Sequence, residues 1–177
     1  MAYFTESYFK NYTVILNESQ RTFSSRAESD MNTKFDIFVS YNIKDKKIIE
    51  GVYNKLTAMG FNVYVDFIVD KQLNRNSVDF KTAKTIQRRL FNSKSLLYAL
   101  SPNASMSKWM PWELGMVDGN TRKCAILPIV ANSNDSYARQ EYLLLYPIIE
   151  EGLNNSVVVN YKSIYAKNET LRDFVNK

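Results

Sequence analysis

Residues 35–66 read FDIFVSYNIKDKKIIEGVYNKLTAMGFNVYVD. Phe35–Ser40 is a short run of β-formers with one charged residue, the pattern of a buried strand. Asn42 and Asp45 follow as a capping pair, and Ile49, Val52, Leu56 and Met59 then recur at helical spacing up to Gly60, a natural helix stop. Phe61–Asp66 is a second strand. A strand, a helix and a strand within about 30 residues form a βαβ unit, whose crossover is right-handed.

The alternation continues downstream. A loop, Phe67–Asn76, carries Asp70, Lys71, Gln72, Asn74 and Arg75, and Ser77 opens a helix with Ala83, Ile86 and Leu90 inward. Ser95–Leu100 is a third strand and Cys124–Val130 a fourth, with Pro128 placing that run near a sheet edge or its end. Tyr137–Ile149 reads as helix up to Pro147, Val157–Tyr161 as a fifth strand and Thr170–Asn176 as a closing helix. Strands separated by helices predict a parallel sheet covered on both faces. Residues 1–33 stand apart as a helix and linker ahead of a domain over 34–177: Phe4, Tyr8, Tyr12 and Ile15 line one helical face, and the polar run Asn17–Thr33 resembles a linker. That aromatic face either lies against its own domain or serves self-assembly.

Composition narrows the chemistry. The sequence has no histidine, which removes Ser–His and Cys–His nucleophilic pairs and histidine zinc sites. Cys124 is the single cysteine, so no internal disulfide forms and thiolate metal clusters are excluded. Carboxylates, hydroxyls and Lys/Arg must carry any reaction, and neither a metal nor a resident cofactor is expected. The net charge of +5 is spread along the chain, and its densest clusters, Lys44/Lys46/Lys47 and Arg88/Arg89, read as solvated helix faces rather than a nucleic-acid surface. No apolar run approaches the roughly 20 residues of a membrane span. The start MAYFTESYFKNYTV lacks a signal-peptide pattern, so a cytoplasmic protein is expected.

The chemistry concentrates in Ser107-Lys-Trp-Met-Pro-Trp-Glu-Leu-Gly115, just past the third strand. Pro111 suits the first turn of a helix, Ser107 can cap it, and Gly119 marks its end. Trp109 and Glu113 are four residues apart and share a face. An aromatic plane beside a carboxylate, at the carboxyl edge of an open α/β sheet, lies where such folds bind ligands. Packing tryptophans and an ordinary first-turn acid are the competing reading, and local pattern leaves both open.

Four stretches, Asp36–Tyr41, Gly60–Asp66 with its polar loop, Ser95–Ser101 and Ser107-x-Trp109-x-x-x-Glu113-Leu114, together resemble the Toll/interleukin-1 receptor (TIR) domain over about residues 34–130, and more loosely over 131–177. Met110–Gly115 and Glu141–Pro147 bring the chain closer to bacterial members, including TIR subunits of Thoeris-type antiphage systems. The resemblance implies a flavodoxin-like three-layer fold with five parallel strands in order 2-1-3-4-5. It implies NAD⁺ glycohydrolase or ADP-ribosyl cyclase activity in antiviral defence, self-association of TIR domains, and a separate effector that reads the product. By position, Glu113 matches the catalytic glutamate, Trp109 the aromatic near it, and Phe67–Asn76 the loop that gates the site. The glycine common in that loop is replaced here by Asn74-Arg75-Asn76.

The residues suit such a reaction. Nicotinamide leaves a ribose as a neutral molecule from a cationic one, so no general acid has to protonate it, and one carboxylate can suffice. Glu113 would stabilise the growing oxocarbenium charge. Ser40, Tyr41 and Asn42 at the first strand–helix turn, with Asn74 and Arg75, are the candidate partners for the rest of the dinucleotide, and Asp66 is either a ligand or a loop-fixing acid. Neither G-x-G-x-x-G nor a P-loop is present. A scaffold acting by assembly alone and a deoxyribosyltransferase-like enzyme are the alternatives. Free nicotinamide, free base or neither, after incubation with NAD⁺ and deoxynucleosides, separates the three.

Overall fold

A computed structural model describes residues 2–12, 18–73, 79–132, 135–137, 140–162 and 167–177. In chain order these form β1 (Phe4–Thr5), α1 (Glu6–Lys10), α2 (Glu18–Ser29), β2 (Phe35–Ser40), α3 (Lys46–Ala58), β3 (Val63–Tyr64), α4 (Asp66–Val69) and α5 (Phe80–Phe91). Then come β4 (Ser93–Leu100), α6 (Met110–Asn120), β5 (Cys124–Val130), β6 (Ile148–Glu151), β7 (Val157–Asn160), β8 (Glu169–Thr170) and α7 (Leu171–Asn176).

The sheet runs β3-β2-β4-β5-β6-β7-β8, and β1 pairs with β5. Strands β3, β2, β4, β5 and β6 are mutually parallel, with Ser40 opposite Tyr98 and Leu100 opposite Pro128. Alternate residues face opposite sides, because the side-chain period of a strand is two. Ile37, Val39, Leu97, Ala99, Ala125 and Leu127 pack under α1, α3 and α7. Phe38, Leu96, Tyr98, Leu100 and Ile126 pack with residues of α2, α5 and α6 on the other face. The arrangement is therefore the three-layer, flavodoxin-like plan.

Four details differ from the sequence reading. The fifth parallel strand is Ile148–Glu151, not Val157–Tyr161. Pro147 forces the residue before it out of the α region, and Tyr146 is extended at φ −107° and ψ 146°, so the expected helix shrinks to a 3₁₀ turn over Glu141–Leu145. The Pro147 carbonyl then accepts the Ile126 N–H at 2.9 Å and the chain enters the sheet. Strand β7 follows antiparallel to β6, because the short link after Glu151 can close a hairpin but cannot make a parallel crossover. Next, the strand read over Phe61–Asp66 is confined to Val63–Tyr64, and Asp66 opens α4. Third, the polar run at 17–33 carries α2. Last, the aromatic stripe is not one helix: Phe4 is in β1, Tyr8 in α1, Tyr12 beyond it, and Ile15 lies outside the described residues.

That stripe faces inward. The Lys55 ammonium lies 5.6, 5.2 and 5.4 Å from the ring centres of Phe4, Tyr8 and Tyr12, and donates to the Tyr8 hydroxyl at 2.7 Å. Gly51 of α3 lets α1 come close, for a Cβ there would fall 1.9 Å from the Phe9 carbonyl oxygen. Gly60 turns the chain from α3 towards β3 at φ 86°, a conformation that suits glycine. Among the described residues no helix is long and apolar enough to cross a membrane.

Candidate active site

The sheet brings Ser40, at the end of β2, next to the strand β4 whose continuation leads into α6. Helix α6 starts at Met110 with Pro111 in its first turn, where a missing N–H costs nothing. Ser107 Oγ accepts the Met110 N–H at 3.3 Å, and the Glu113 N–H reaches the Trp109 carbonyl at 2.9 Å, which sets Trp109 one turn below Glu113. Glu113 is fully buried, and Ser40 Oγ donates to its Oε2 at 2.5 Å. Trp109 is half-buried with its ring centre 5.6 Å from that of Trp112, which is 38% exposed.

The other expected residues at these strand ends make bonds of their own. The Tyr41 hydroxyl donates to Asp66 Oδ1, which also accepts the Phe67 N–H at 2.7 Å. The Tyr41 ring meets Phe67 edge-on at 5.7 Å. Asp66 thus fixes the start of the loop after β3. Asn42 accepts the Lys44 N–H at 3.0 Å and donates to the Asn103 carbonyl at 2.8 Å. Asn74 and Arg75 lie outside the described residues.

Three features were not read from the sequence. Asp45, buried, accepts Ser101 Oγ at 2.5 Å and Asn103 Nδ2 at 2.6 Å, and so ties the ends of β2 and β4 together. Tyr98, opposite Ser40 in the sheet, has its pKa raised by burial first and then by its bond to Tyr142 and by the Glu113 charge. A cavity of about 550 Å³ lies at the ends of β4 and β5, and Tyr98, Ser101, Ser105, Tyr137 and Gln140 are among its lining residues. Tyr98 is therefore shared between the cavity and the surroundings of Glu113, though Glu113 itself does not line the cavity. Tyr98 sits in an apolar run that reads as plain core, so local pattern did not single it out.

Chemically, the arrangement holds one carboxylate in a low-dielectric setting with a hydroxyl aimed at it, where a developing positive charge is stabilised more strongly than in water. Among the described residues no group of three His, Cys, Asp or Glu side chains could hold a metal ion.

Comparison with known proteins identifies the family. The family model described as "TIR domain" matches residues 37–155. The chain is 42% identical over 146 residues to the Bacillus cereus (strain MSX-D12) protein named "Probable 3' cyclic ADP-D-ribose synthase ThsB'", covering 81% of this chain and 76% of that protein. It is 26% identical over 81 residues to "Putative cyclic ADP-D-ribose synthase TIR2" of Cytobacillus dafuensis, covering 45% of this chain and 21% of that one. The matched span runs from Ile37, within β2, past β6 and includes Ser40 and Glu113, and on these grounds the chain belongs to the TIR domain family.

Proposed function

We propose that the protein cleaves the nicotinamide–ribose bond of NAD⁺ and closes the remaining ADP-ribose into a cyclic product, a diffusible signal in antiviral defence. The observation that carries this reading is Glu113, buried in the first turn of α6 and held by Ser40 at the carboxyl edge of the sheet. Similarity to two proteins named as cyclic ADP-D-ribose synthases supports the same reaction class, and the first of them supports a Thoeris-type role.

In this mechanism the C–N bond breaks with its electron pair going to the pyridinium nitrogen, so nicotinamide departs neutral. The ribose keeps the positive charge as an oxocarbenium ion facing the Glu113 carboxylate. A nucleophile on the same molecule then bonds to the anomeric carbon; if it is a hydroxyl, its proton passes to Glu113. Ser40 orients the carboxylate, while Trp109 supplies an apolar wall. The enzyme acts in self-associated form and a separate protein reads the product.

Chromatography of a completed NAD⁺ reaction, run across a range of enzyme concentrations, tests this. The expected result is free nicotinamide, a product distinct from linear ADP-ribose, and specific activity that rises with concentration. Linear ADP-ribose alone would leave hydrolysis as the reaction, and no nicotinamide at any concentration would favour the scaffold. Ser40→Ala removes the bond that orients Glu113, and a hydrogen bond to a charged group is worth about 1.5–3 kcal/mol. Nicotinamide release should fall by about 10-fold or more. A folded Ser40→Ala variant with wild-type turnover removes Ser40 from the mechanism.

A further inference from the structure

Arg89 belongs to a cluster that the sequence reading assigned to a solvated helix face, yet it is 0% exposed. Its guanidinium is spent on two elements far apart in the chain. Nε donates to Asp70 Oδ2 at 2.9 Å and Nη2 to Asp70 Oδ1 at 2.7 Å, the paired geometry that only a planar fork provides. Nη1 donates to the Asp30 carbonyl at 2.9 Å and Nη2 also to the Ala27 carbonyl at 2.8 Å, at the carboxyl end of α2. Phe35 and Tyr64 lie beside the cation with ring centres 5.7 and 5.8 Å away, and the Tyr64 hydroxyl donates to Asp70 at 2.8 Å. Burial opposes the charge, but the bonds to Asp70 outweigh it and hold the pKa above the ordinary value.

Asp70 closes the short helix that Asp66 opens, and its N–H returns to the Asp66 carbonyl at 2.6 Å. Asp66 in turn is bonded to Tyr41, the residue after Ser40. The segment from Asp66 to Leu73 is thus held at one end by Tyr41, which follows Ser40 in the chain, and at the other by Arg89. Helix α2 supplies the fixed seat: Gln20 donates to the Thr57 carbonyl at 2.8 Å, Ser24 bonds Tyr53 at 2.6 Å, and Phe23 meets Phe35 edge-on at 5.8 Å. A buried ion pair adds little net stability compared with apolar packing of the same volume. What a bidentate pair does supply is direction.

We propose that Arg89 is a positioning residue for the NAD⁺ site: it clamps the Asp66–Leu73 segment to α2, so that α2 sets the geometry in which substrate is bound. The inference rests on the NAD⁺-cleaving function proposed above. Arg89 touches no reacting atom in this scheme, so its loss should weaken substrate binding more than it slows the bond-breaking step.

The test uses the full chain with Arg89→Lys, which keeps the charge and loses the fork, and Asp70→Asn, which leaves the bonds to α2 in place. Two readouts are taken: steady-state kinetics with NAD⁺, and backbone hydrogen exchange over residues 18–29 and 66–73. For Arg89→Lys, KM should rise on the order of 10-fold while kcat stays within about threefold. Exchange should accelerate in both segments together. Asp70→Asn should accelerate 66–73 alone, with a smaller rise in KM. A folded Arg89→Lys protein that melts lower but keeps both wild-type KM and wild-type exchange over 66–73 overturns the proposal, because Arg89 would then be structural only. Should Arg89→Lys fail to fold, Asp70→Asn decides by the same readouts. If the wild-type protein leaves NAD⁺ intact, the functional reading fails on its own, and exchange decides the clamp: unchanged rates over 66–73 in Asp70→Asn overturn it.

Discussion

Glu113→Gln should lower NAD⁺ turnover by on the order of 100- to 1000-fold, the usual cost of removing an electrostatic contact made to the transition state. The substitution keeps the side-chain shape in a fully buried position and still offers Ser40 an oxygen to donate to. In the proposed mechanism, what disappears is the negative charge that meets the oxocarbenium ion. Because the ribose acquires most of its positive charge only as the C–N bond breaks, the loss should fall on kcat, with KM changing little. Nicotinamide release, measured on protein whose circular dichroism matches wild type, is the readout. A wild-type rate would remove Glu113 from the mechanism and return it to the class of first-turn helix acids.

Gly51→Ala should be the most disruptive small substitution for stability. The added methyl would sit 1.9, 2.6 and 2.9 Å from the oxygen, carbonyl carbon and Cα of Phe9, all backbone atoms that no rotamer change can move aside. Helix α1 must lift from α3, and Phe4 and Phe9, both buried, move with it. Overpacking of this kind costs about 1–3 kcal/mol. For a chain of this size that lowers Tm by roughly 2–12 °C. Gly119→Ala is the control: it lies in α6 with nothing within 4 Å of the new methyl, and alanine's better helix propensity should leave the protein unchanged or up to about 1 kcal/mol more stable. Equal melting of the two variants would show that α1 is not seated on α3 through Gly51.

The parts of the fold that were legible are those in which local pattern and tertiary environment agree. Phe35–Ser40, Ser95–Leu100 and Cys124–Val130 are apolar runs buried on both faces of the sheet, and each is a strand. That Trp109 and Glu113 stand one helical turn apart was legible because helical spacing alone sets it. Strand β6 was hidden because Leu143–Leu145 prolongs a helix-like pattern up to Pro147, and only tertiary pairing with Ile126 rewards the extended form. Helix α2 was hidden for a different reason. Its inward face offers only Phe23 and Ala27, and the rest of its attachment comes from polar bonds to Tyr53, Thr57 and Arg89, which leave no hydrophobic period. The Arg89–Asp70 pair joins a helix to a loop across 19 positions, a relation that no repeat in the sequence encodes.

The pairing of Phe4 and Thr5 with Ile129 and Val130 bears on the order in which the molecule is made. A ribosome adds about 5–20 residues per second, so Phe4 exists for on the order of ten seconds before its partner strand is synthesised. Strands β2, β3 and β4 can assemble during that interval, since each finds its neighbour among residues already made. Helix α1 can dock on α3 in the same interval, through Gly51 and Lys55, but Phe4 and Thr5 find their partner strand only when β5 emerges. Refolding from denaturant removes this delay, because all strands are then present at once, whereas synthesis makes the docking of β1 a late event.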